Sequence, residues 1–307
     1  MTLKIAIVTD IHHGKDMEAK KGGSAIPLLG EFAHMVAREA PDLVLDLGDR
    51  ISDEDPETDL ALEREVNAAF QPIRELAPVR HILGNHDRDF QSIAQNEEIF
   101  GQSFASETID LKGWRIALFQ ADTLIRRPGG FHCPDADLAW LDRTVAAADR
   151  PLLIASHVPV SGHSQIGNYY FQRNQDLSTY PQGEAIREIL RGSKVPTAWV
   201  AGHVHWNTLT IVDGIPHITL QSLTESYVMG PERGAGAACG AFGLLELSMA
   251  RLDWRVMGAD PFQASLPVAP MARRWYAPKE PFTGSPESEE RWARIAAFQA
   301  TQQQAAE

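Results

Sequence analysis

Five short blocks of this chain carry side chains suited to holding divalent metal ions. In order they are Asp10-x-His12, Gly48-Asp49, Gly84-Asn85-His86-Asp87, His157 and Gly202-His203-x-His205. Together they offer three carboxylates, one amide and up to five imidazoles. No thiolate is among them, so the set favours Mn, Fe, Zn, Co or Ni over a structural zinc site. With Asp10 and Asp49 as the metal carboxylates, two divalent ions and a bridging hydroxide would leave about +1 at the centre. Such a charge attracts a phosphate ester without fixing it permanently.

Each block follows a run that reads as a buried strand. Ile5 to Val8 leads to Asp10, Leu43 to Leu45 to Gly48-Asp49, and Val79 to Leu83 to Gly84-Asn85-His86-Asp87. Leu152 to Ala155 ends at His157, and Ala198 to Ala201 at Gly202-His203. Short apolar runs stopped by Gly, Asn or Asp have this character. Helical spacing appears between them over Ile26–Ala40, Asp59–Leu76 and Asp137–Ala148. Alternating strands and helices predict an α/β layered fold, with polar residues gathered at the carboxyl ends of the strands. Further strands are expected over Thr208–Val212, His217–Leu220 and Gly243–Leu247, without long helices between them.

The order and spacing of the five blocks resemble the calcineurin-like metallophosphoesterase superfamily over roughly residues 5 to 206. That resemblance implies a four-layer α/β/β/α sandwich of two mixed sheets with a dinuclear metal centre at strand ends. It implies that Asp10, His12 and His205 bind one metal, Asp49 bridges both, and Asn85, His157 and His203 complete the second site. His86 would sit beside the metals, bonding a phosphoryl oxygen or protonating the leaving group, with Asp87 orienting it. Two ions about 3.5–4 Å apart would generate a hydroxide that attacks phosphorus in line. The Gly-Asn-His-Asp block in a chain of this size looks most like bacterial phosphodiesterases acting on cyclic nucleotides or glycerophosphodiesters. Phosphomonoester or nucleotide-diphosphate hydrolysis is the alternative, and a non-catalytic metal-binding scaffold is the reading from outside enzymology.

Substrate choice is expected from Ser161–Pro181, a polar and aromatic segment just after His157. Within it His163, Tyr169, Arg173 and Asn174 are the candidate substrate contacts, with aromatics available to stack on a base or cover an alcohol group. His13 should point away from His12 along a strand end. Lys15, Lys20 and Lys21 form a small basic cluster near the first block that reads as a solvated loop, with help in holding an anionic substrate as the alternative; His34, His81, His132 and His217 read as structural residues. Glu225, Ser226 and Tyr227 follow a strand-like run, and the glycines from Gly230 to Gly243 read as a loop, since the Lys-Ser/Thr ending of a P-loop is lacking.

Composition narrows the partners. The chain has 307 residues, with 28 Lys and Arg against 41 Asp and Glu, a formal net charge of −13. A surface so acidic argues against binding nucleic-acid polymers, which requires clustered cations. No apolar run approaches the roughly 18 residues of a membrane span, and the opening residues read as a strand rather than a signal peptide. Cys133 and Cys239 are too few and too distant for a disulfide framework, so the cytoplasm is the expected compartment. A catalytic domain is expected over 1–255. Residues 256–307, bearing Trp275, Tyr276, Phe282 and Trp292, read as an extension lying on the core or on a neighbouring copy in a homo-oligomer.

Overall fold

The structure is a computed structural model that describes residues 1–227, 238–274 and 285–304. Gly230, Gly234 and Gly236 of the expected loop, and Trp275, Tyr276 and Phe282 of the expected extension, lie outside the described residues. The chain divides into two units, Met1–Arg274 and Trp275–Glu307.

The first unit is built on two six-stranded sheets. One sheet contains β1 (Leu3–Val8), β2 (Leu43–Asp46), β3 (Val79–His81), β10 (Phe242–Leu247), β11 (Arg251–Met257) and β12 (Phe262–Pro267), in the order β12-β11-β10-β1-β2-β3. The other contains β4 (Glu107–Leu111), β5 (Trp114–Leu118), β6 (Leu152–Ala155), β7 (Thr197–Ala201), β8 (Thr208–Val212) and β9 (Ile215–Thr219), ordered β4-β5-β6-β7-β9-β8. The central strands β1-β2-β3 and β5-β6-β7-β9 run parallel, and the flanking pairs are antiparallel. Both sheets are therefore mixed.

Side-chain alternation along these strands generates the layers. Ile5 and Ile7 of β1 and Leu43 and Leu45 of β2 face Ile116, Leu118, Leu153 and Val200 of the second sheet in one inner core. The alternate residues Ala6, Val8 and Val44 pack outward on α1 (Ala25–Glu39), α2 (Pro56–Ala69) and α3 (Gln71–Arg74) through Leu29, Phe32, Val36, Val66 and Ile73. Ala117, Ile154 and Trp199 pack outward on α6 (Asp135–Ala146) and α7 (Gly183–Arg191) through Leu141, Val145, Ile186 and Leu190. The expected α/β/β/α sandwich is the fold found. Two short helices, α4 (His86–Asp89) and α5 (Ile93–Phe100), follow β3.

The first unit extends beyond the boundary expected at residue 255. β11 runs on to Met257, and all six residues of β12 pair with it, Arg251 against Pro267 through Val256 against Phe262. Strand pairing thus binds β12 into the sheet, beyond the expected boundary. In the second unit one helix, α8, spans Pro286–Gln304.

One buried cation braces the loops that leave β2 and β3. Arg50 is fully buried. Its Nε donates to Glu63 Oε2 at 2.9 Å, Nη1 to the Ile82 carbonyl at 2.9 Å and Nη2 to Asn96 Oδ1 at 2.8 Å. Asp46 and Asp87 lie 3.4 and 3.3 Å from the guanidinium, and the Phe100 ring covers it at 4.4 Å. Burial lifts the Glu63 carboxyl well above its usual range even though Arg50 pulls the other way. Removing one partner of such a buried cluster leaves uncompensated charge and typically costs about 3–5 kcal/mol. Arg50→Met should therefore lower the unfolding free energy by that order and with it the urea midpoint, while Arg150→Ala, at the exposed pair with Asp149, should leave the midpoint in place. Equal midpoints for the two variants would show that the buried cluster does not hold the loops.

Candidate metal centre

Every block predicted to hold metal emerges from the carboxyl end of a parallel strand. Asp10 and His12 follow β1, Asp49 follows β2, Asn85 and His86 follow β3, His157 follows β6, and His203 and His205 follow β7. The two sheets bring these ends to one edge of the sandwich. Cross-sheet hydrogen bonds hold them there: the His203 backbone N–H donates to Asp10 Oδ2 at 2.9 Å, and His157 Nδ1 to the Leu47 carbonyl at 2.9 Å.

The backbone has to twist sharply to aim so many side chains at one point. Among the described residues nine non-glycines have positive φ, and five of them are Asp10 (51°), His12 (47°), Asp49 (56°), His203 (70°) and His205 (45°). Left-handed backbone is unfavourable for such residues and concentrates at functional sites. Glycines in the same blocks permit close approach. A Cβ on Gly84 would lie 2.1 Å from Asp49 Oδ1, and one on Gly202 would lie 2.0 Å from Thr9 Oγ1.

The donor atoms form groups that share members. Asp10, His12 and His205 make one group, His12, Asp49 and His86 a second, and Asp49, His157 and His203 a third, each with its donor atoms within 4.8 Å of one another. Asp49 Oδ2 lies 3.3 Å from His157 Nε2 and 3.9 Å from His12 Nε2, between the two ends of the cluster. His205 Nε2 sits 3.1 Å from Asp10 Oδ1 and 3.0 Å from His12 Nε2. Asn85 Oδ1 lies 3.3 Å from His157 Nε2.

The hydrogen-bond pattern tests whether these residues suit metal ions. A carbonyl only accepts, so His157 Nδ1 carries the proton toward Leu47. In the neutral imidazole its Nε2 lone pair then faces Asp49 Oδ2 and Asn85 Oδ1, acceptors against acceptors. His205 faces Glu225 Oε2 through Nδ1 at 3.1 Å, which leaves Nε2 turned toward Asp10 and His12. His203 Nε2 donates to the Leu177 carbonyl at 2.7 Å, leaving Nδ1 as the free lone pair. Converging lone pairs in a buried site require a cation or a proton between them. The residues fit divalent ions.

Protonation of the cluster reflects the same geometry. Burial opposes charging His157, but Asp49 beside it raises its pKa to about 9. Burial likewise opposes charging His205, and Asp10 and Glu225 raise it to about 9. Burial and the nearby His157 push His203 down to about 4, and burial with Lys20 and His205 holds His12 well below its usual value. Burial works against ionising Asp49, yet His157 and His86 hold it well below the carboxylate range. In this state, protons take up the charge imbalance that cations would relieve.

His86 stands beside the donors, its ring edge-on to His12 at 4.9 Å, and its backbone N–H donates to Asp49 Oδ1 at 2.8 Å. Its Nδ1 is hydrogen-bonded to Asp53 Oδ1. Asp87, expected to orient His86, does something else. Its carboxylate accepts from the backbone N–H groups of Gly84 at 2.7 Å, Asp49 at 3.0 Å and Arg50 at 2.8 Å. It has turned inward to tie two loops together, and Asp53 has the place beside His86.

A cavity of about 170 Å³ opens on the centre, and its wall includes Asp49, Asn85, His86, His203 and His205. Lys20, Asp53, Asp89, Ile125, Arg127, Tyr170, Phe171, Leu177 and Tyr227 complete it. The segment 161–181 does contribute, but through Tyr170, Phe171 and Leu177 rather than the four residues expected. His163 stacks edge-on against Trp206 at 4.9 Å and accepts from Gln165 at 3.1 Å, in a separate small hollow. Tyr169 and Arg173 are exposed, and Asn174 donates back to the Tyr170 carbonyl at 2.9 Å. The turn at Asn168, whose Oδ1 accepts from the Tyr170 and Phe171 N–H groups, reverses which side chains face inward.

Sequence reasoning missed Asp53, Glu225 and Tyr227 as members of this site. Tyr227 stacks flat on His205 at 4.4 Å, and Glu225 faces the far nitrogen of the same ring. Both follow the carboxyl end of β9, so the strand-end rule that located the other blocks would have found them. Asp53 lies in an Asp53-Glu54-Asp55 run whose last member caps α2, accepting from the Glu57 and Thr58 N–H groups, and the run reads as a solvated turn. His13 points away, with Nε2 2.7 Å from Glu65, as expected.

Similar architecture is known among solved structures. A dimetal phosphatase from Danio rerio shares 16% identity, with 87% of this chain and 99% of that one covered and a TM-score of 0.66. GAP50, described as the anchor in the inner membrane complex of Plasmodium, shares 13% identity, with 87% and 89% covered and a TM-score of 0.55. No curated protein sequence matches the chain. Residues 3–207 match the calcineurin-like phosphoesterase family. With that match spanning two thirds of its length, and the family's fold around the cluster, the chain belongs to the calcineurin-like phosphoesterases.

Proposed function

We propose that this metal-dependent phosphoester hydrolase acts on small-molecule phosphodiesters, such as cyclic nucleotides or glycerophosphodiesters, in the cytoplasm. The observation that carries the reading is Asp49 Oδ2 poised between two groups of facing imidazoles, 3.3 Å from His157 and 3.9 Å from His12. In this reading Asp10, His12 and His205 hold one divalent ion, Asn85, His157 and His203 a second, and Asp49 both. Such a pair supplies a nucleophile at neutral pH from bound water and neutralises the phosphoryl oxygens. Manganese, iron, zinc or cobalt would suit the donors.

The chain's own residues set the rest of the reaction. His86 is held by Asp53 through Nδ1, so its Nε2 is the atom available to a phosphoryl oxygen or to the departing alcohol oxygen. Leu47 and Leu177 each fix one imidazole by a hydrogen bond to its far nitrogen, and Glu225 stands 3.1 Å from the far nitrogen of His205, so the other nitrogen faces the cluster. Tyr170, Phe171 and Tyr227 line the mouth and offer aromatic faces to the alcohol groups of an ester. Among the described residues no helix is long and apolar enough to cross a membrane, consistent with a small diffusible substrate.

Metal-stripped protein refilled with Mn, Zn, Fe or Co should hydrolyse bis-p-nitrophenyl phosphate faster than p-nitrophenyl phosphate. Asn85→Ala and His86→Ala should lower kcat by about 10²–10⁴-fold. A preference for the monoester would move the substrate to phosphomonoesters while leaving the centre intact. Two bound metals with no turnover on esters or diphosphates would favour a scaffold role, as the anchor description of GAP50 illustrates for a similar fold.

Asp53 and Asp87 separate orientation from architecture. Asp53→Asn should reduce kcat by about 10–100-fold with an unchanged melting temperature. Asp87→Asn should lower the melting temperature, because three backbone N–H groups lose their charged acceptor. The converse pattern would return the orienting role to Asp87.

A further inference from the structure

Two cations in the cavity have no ion-pair partner among the described residues. Three lysines lie in the loop after β1. Lys15 pairs with Glu54, and Lys21 reaches Asp16 at 4.0 Å. Lys20 makes no ion pair among the described residues and lines the metal cavity. A second elimination runs through the arginines. Arg88 and Arg126 both pair with Asp122, Arg88 at 3.2 Å and Arg126 at 2.6 Å. Arg127, next in the chain, makes no ion pair among the described residues and lines the same cavity.

Their placement has an electrostatic consequence. Cations beside a centre built for divalent ions repel it, and that repulsion is relieved when an anion enters. Asp53 and Asp89 line the cavity too, each within electrostatic reach of one of these cations though beyond ion-pair contact, and offset part of that charge; Asp53 is also engaged by His86. The phosphoryl group under attack would be met by ions held at the donor cluster and by His86. Lys20 and Arg127 are therefore in excess of what one diester needs.

We propose that Lys20 and Arg127 form a clamp for a second anionic group on the substrate, a carboxylate or a further phosphoryl, next to the ester that is cleaved. The inference rests on the phosphoester reading and narrows it to substrates with a second anionic group, which a simple cyclic mononucleotide lacks and a glycerophosphodiester with an acidic alcohol group carries. Arg127 is suited to a planar or tetrahedral oxyanion through paired N–H donors, and Lys20 to a point contact. Among the described residues that line the cavity, Lys20 and Arg127 are the only lysine and arginine.

The test is binding, so it does not depend on turnover. Full-length protein loaded with Mn is titrated calorimetrically with methylphosphonate, phosphonoacetate and methylenebisphosphonate. The wild type should bind at least one two-anion ligand about 10-fold more tightly than methylphosphonate, the worth of one charge-assisted contact. Lys20→Met and Arg127→Met should each remove most of that preference, and Arg126→Met, at the neighbouring pair with Asp122, should retain it. Gain with phosphonoacetate as well as the bisphosphonate assigns the clamp to anions generally; gain with the bisphosphonate alone assigns it to a second phosphoryl. Equal ratios in wild type and variants would overturn the clamp, as would a loss for methylphosphonate as large as for the two-anion ligands. Loss of ester turnover in the wild type with the binding ratios preserved would instead overturn the hydrolase reading and leave the clamp standing.

Discussion

The carboxylate of Asp87 joins two loops that have to move as one piece. It accepts N–H groups from Gly84 on its own loop and from Asp49 and Arg50 on the loop after β2. Arg50 then anchors that junction from below through Glu63, Asn96 and the Ile82 carbonyl. The consequence reaches Asp49 Oδ2, the atom between the two groups of imidazoles. A shift of the β2 loop against the β3 loop would move Asp49 away from Asn85 and His86 together. Gly84 permits the approach because a side chain there would occupy the position of Asp49 Oδ1.

A second constraint is conformational. Five donors adopt left-handed backbone, a state that costs of order 1–3 kcal/mol where the surroundings do not enforce it. Here the surroundings do. Asp10 N–H donates to the Gly48 carbonyl at 2.8 Å and His12 N–H to the Asp49 carbonyl at 3.0 Å, so the strained turn after β1 is held by the turn after β2. Tyr227 N–H, in turn, donates to the His205 carbonyl at 3.3 Å. Local strain and lateral hydrogen bonds are thus two aspects of one arrangement, in which each donor's turn is stabilised by a neighbouring strand end.

Much of this was legible in the residues. The five blocks, their strands, and the helices over 26–40 and 137–148 follow from apolar periodicity and from Gly, Asn and Asp as strand stops. The identity of donors is readable because side-chain chemistry is a local property. Which carboxylate stands beside which ring is not, because it depends on loop paths. Asp87 follows His86 directly yet faces the opposite way, whereas Asp53 is brought in across 33 residues of sequence. The segment after His157 shows the same limit. Its aromatic character points to the cavity mouth, but the Asn168 turn decides that Phe171 is buried and Tyr170 lines the mouth while Tyr169 and Arg173 lie outside it. The edge strand β12 escaped notice for another reason: half of its residues are exposed, so its signal is hydrogen bonding rather than apolar content.

Fold and site are also less separable than a scaffold with ligands attached. The site is assembled from both sheets, and the contacts that assemble it are hydrogen bonds across the gap between them. Thr123 Oγ1 donates to the Gly84 carbonyl at 2.9 Å, and Ser222 Oγ to the Asp10 carbonyl at 2.6 Å, each linking the second sheet's loops to the first sheet's donors. Opening the sandwich at this edge would break those bonds, separate Asp49 from His157, and expose lone pairs that the closed form holds face to face. Cations placed between those lone pairs would then act on both sheets at once. Binding energy at the centre becomes cohesion at one end of the inner core, because ligands that belong to different sheets cannot satisfy the same ion unless the sheets stay packed. The architecture can be shared by proteins whose described roles differ, since packing alone requires none of these donors. In this chain the edge where the sheets close is also where the imidazoles and carboxylates converge.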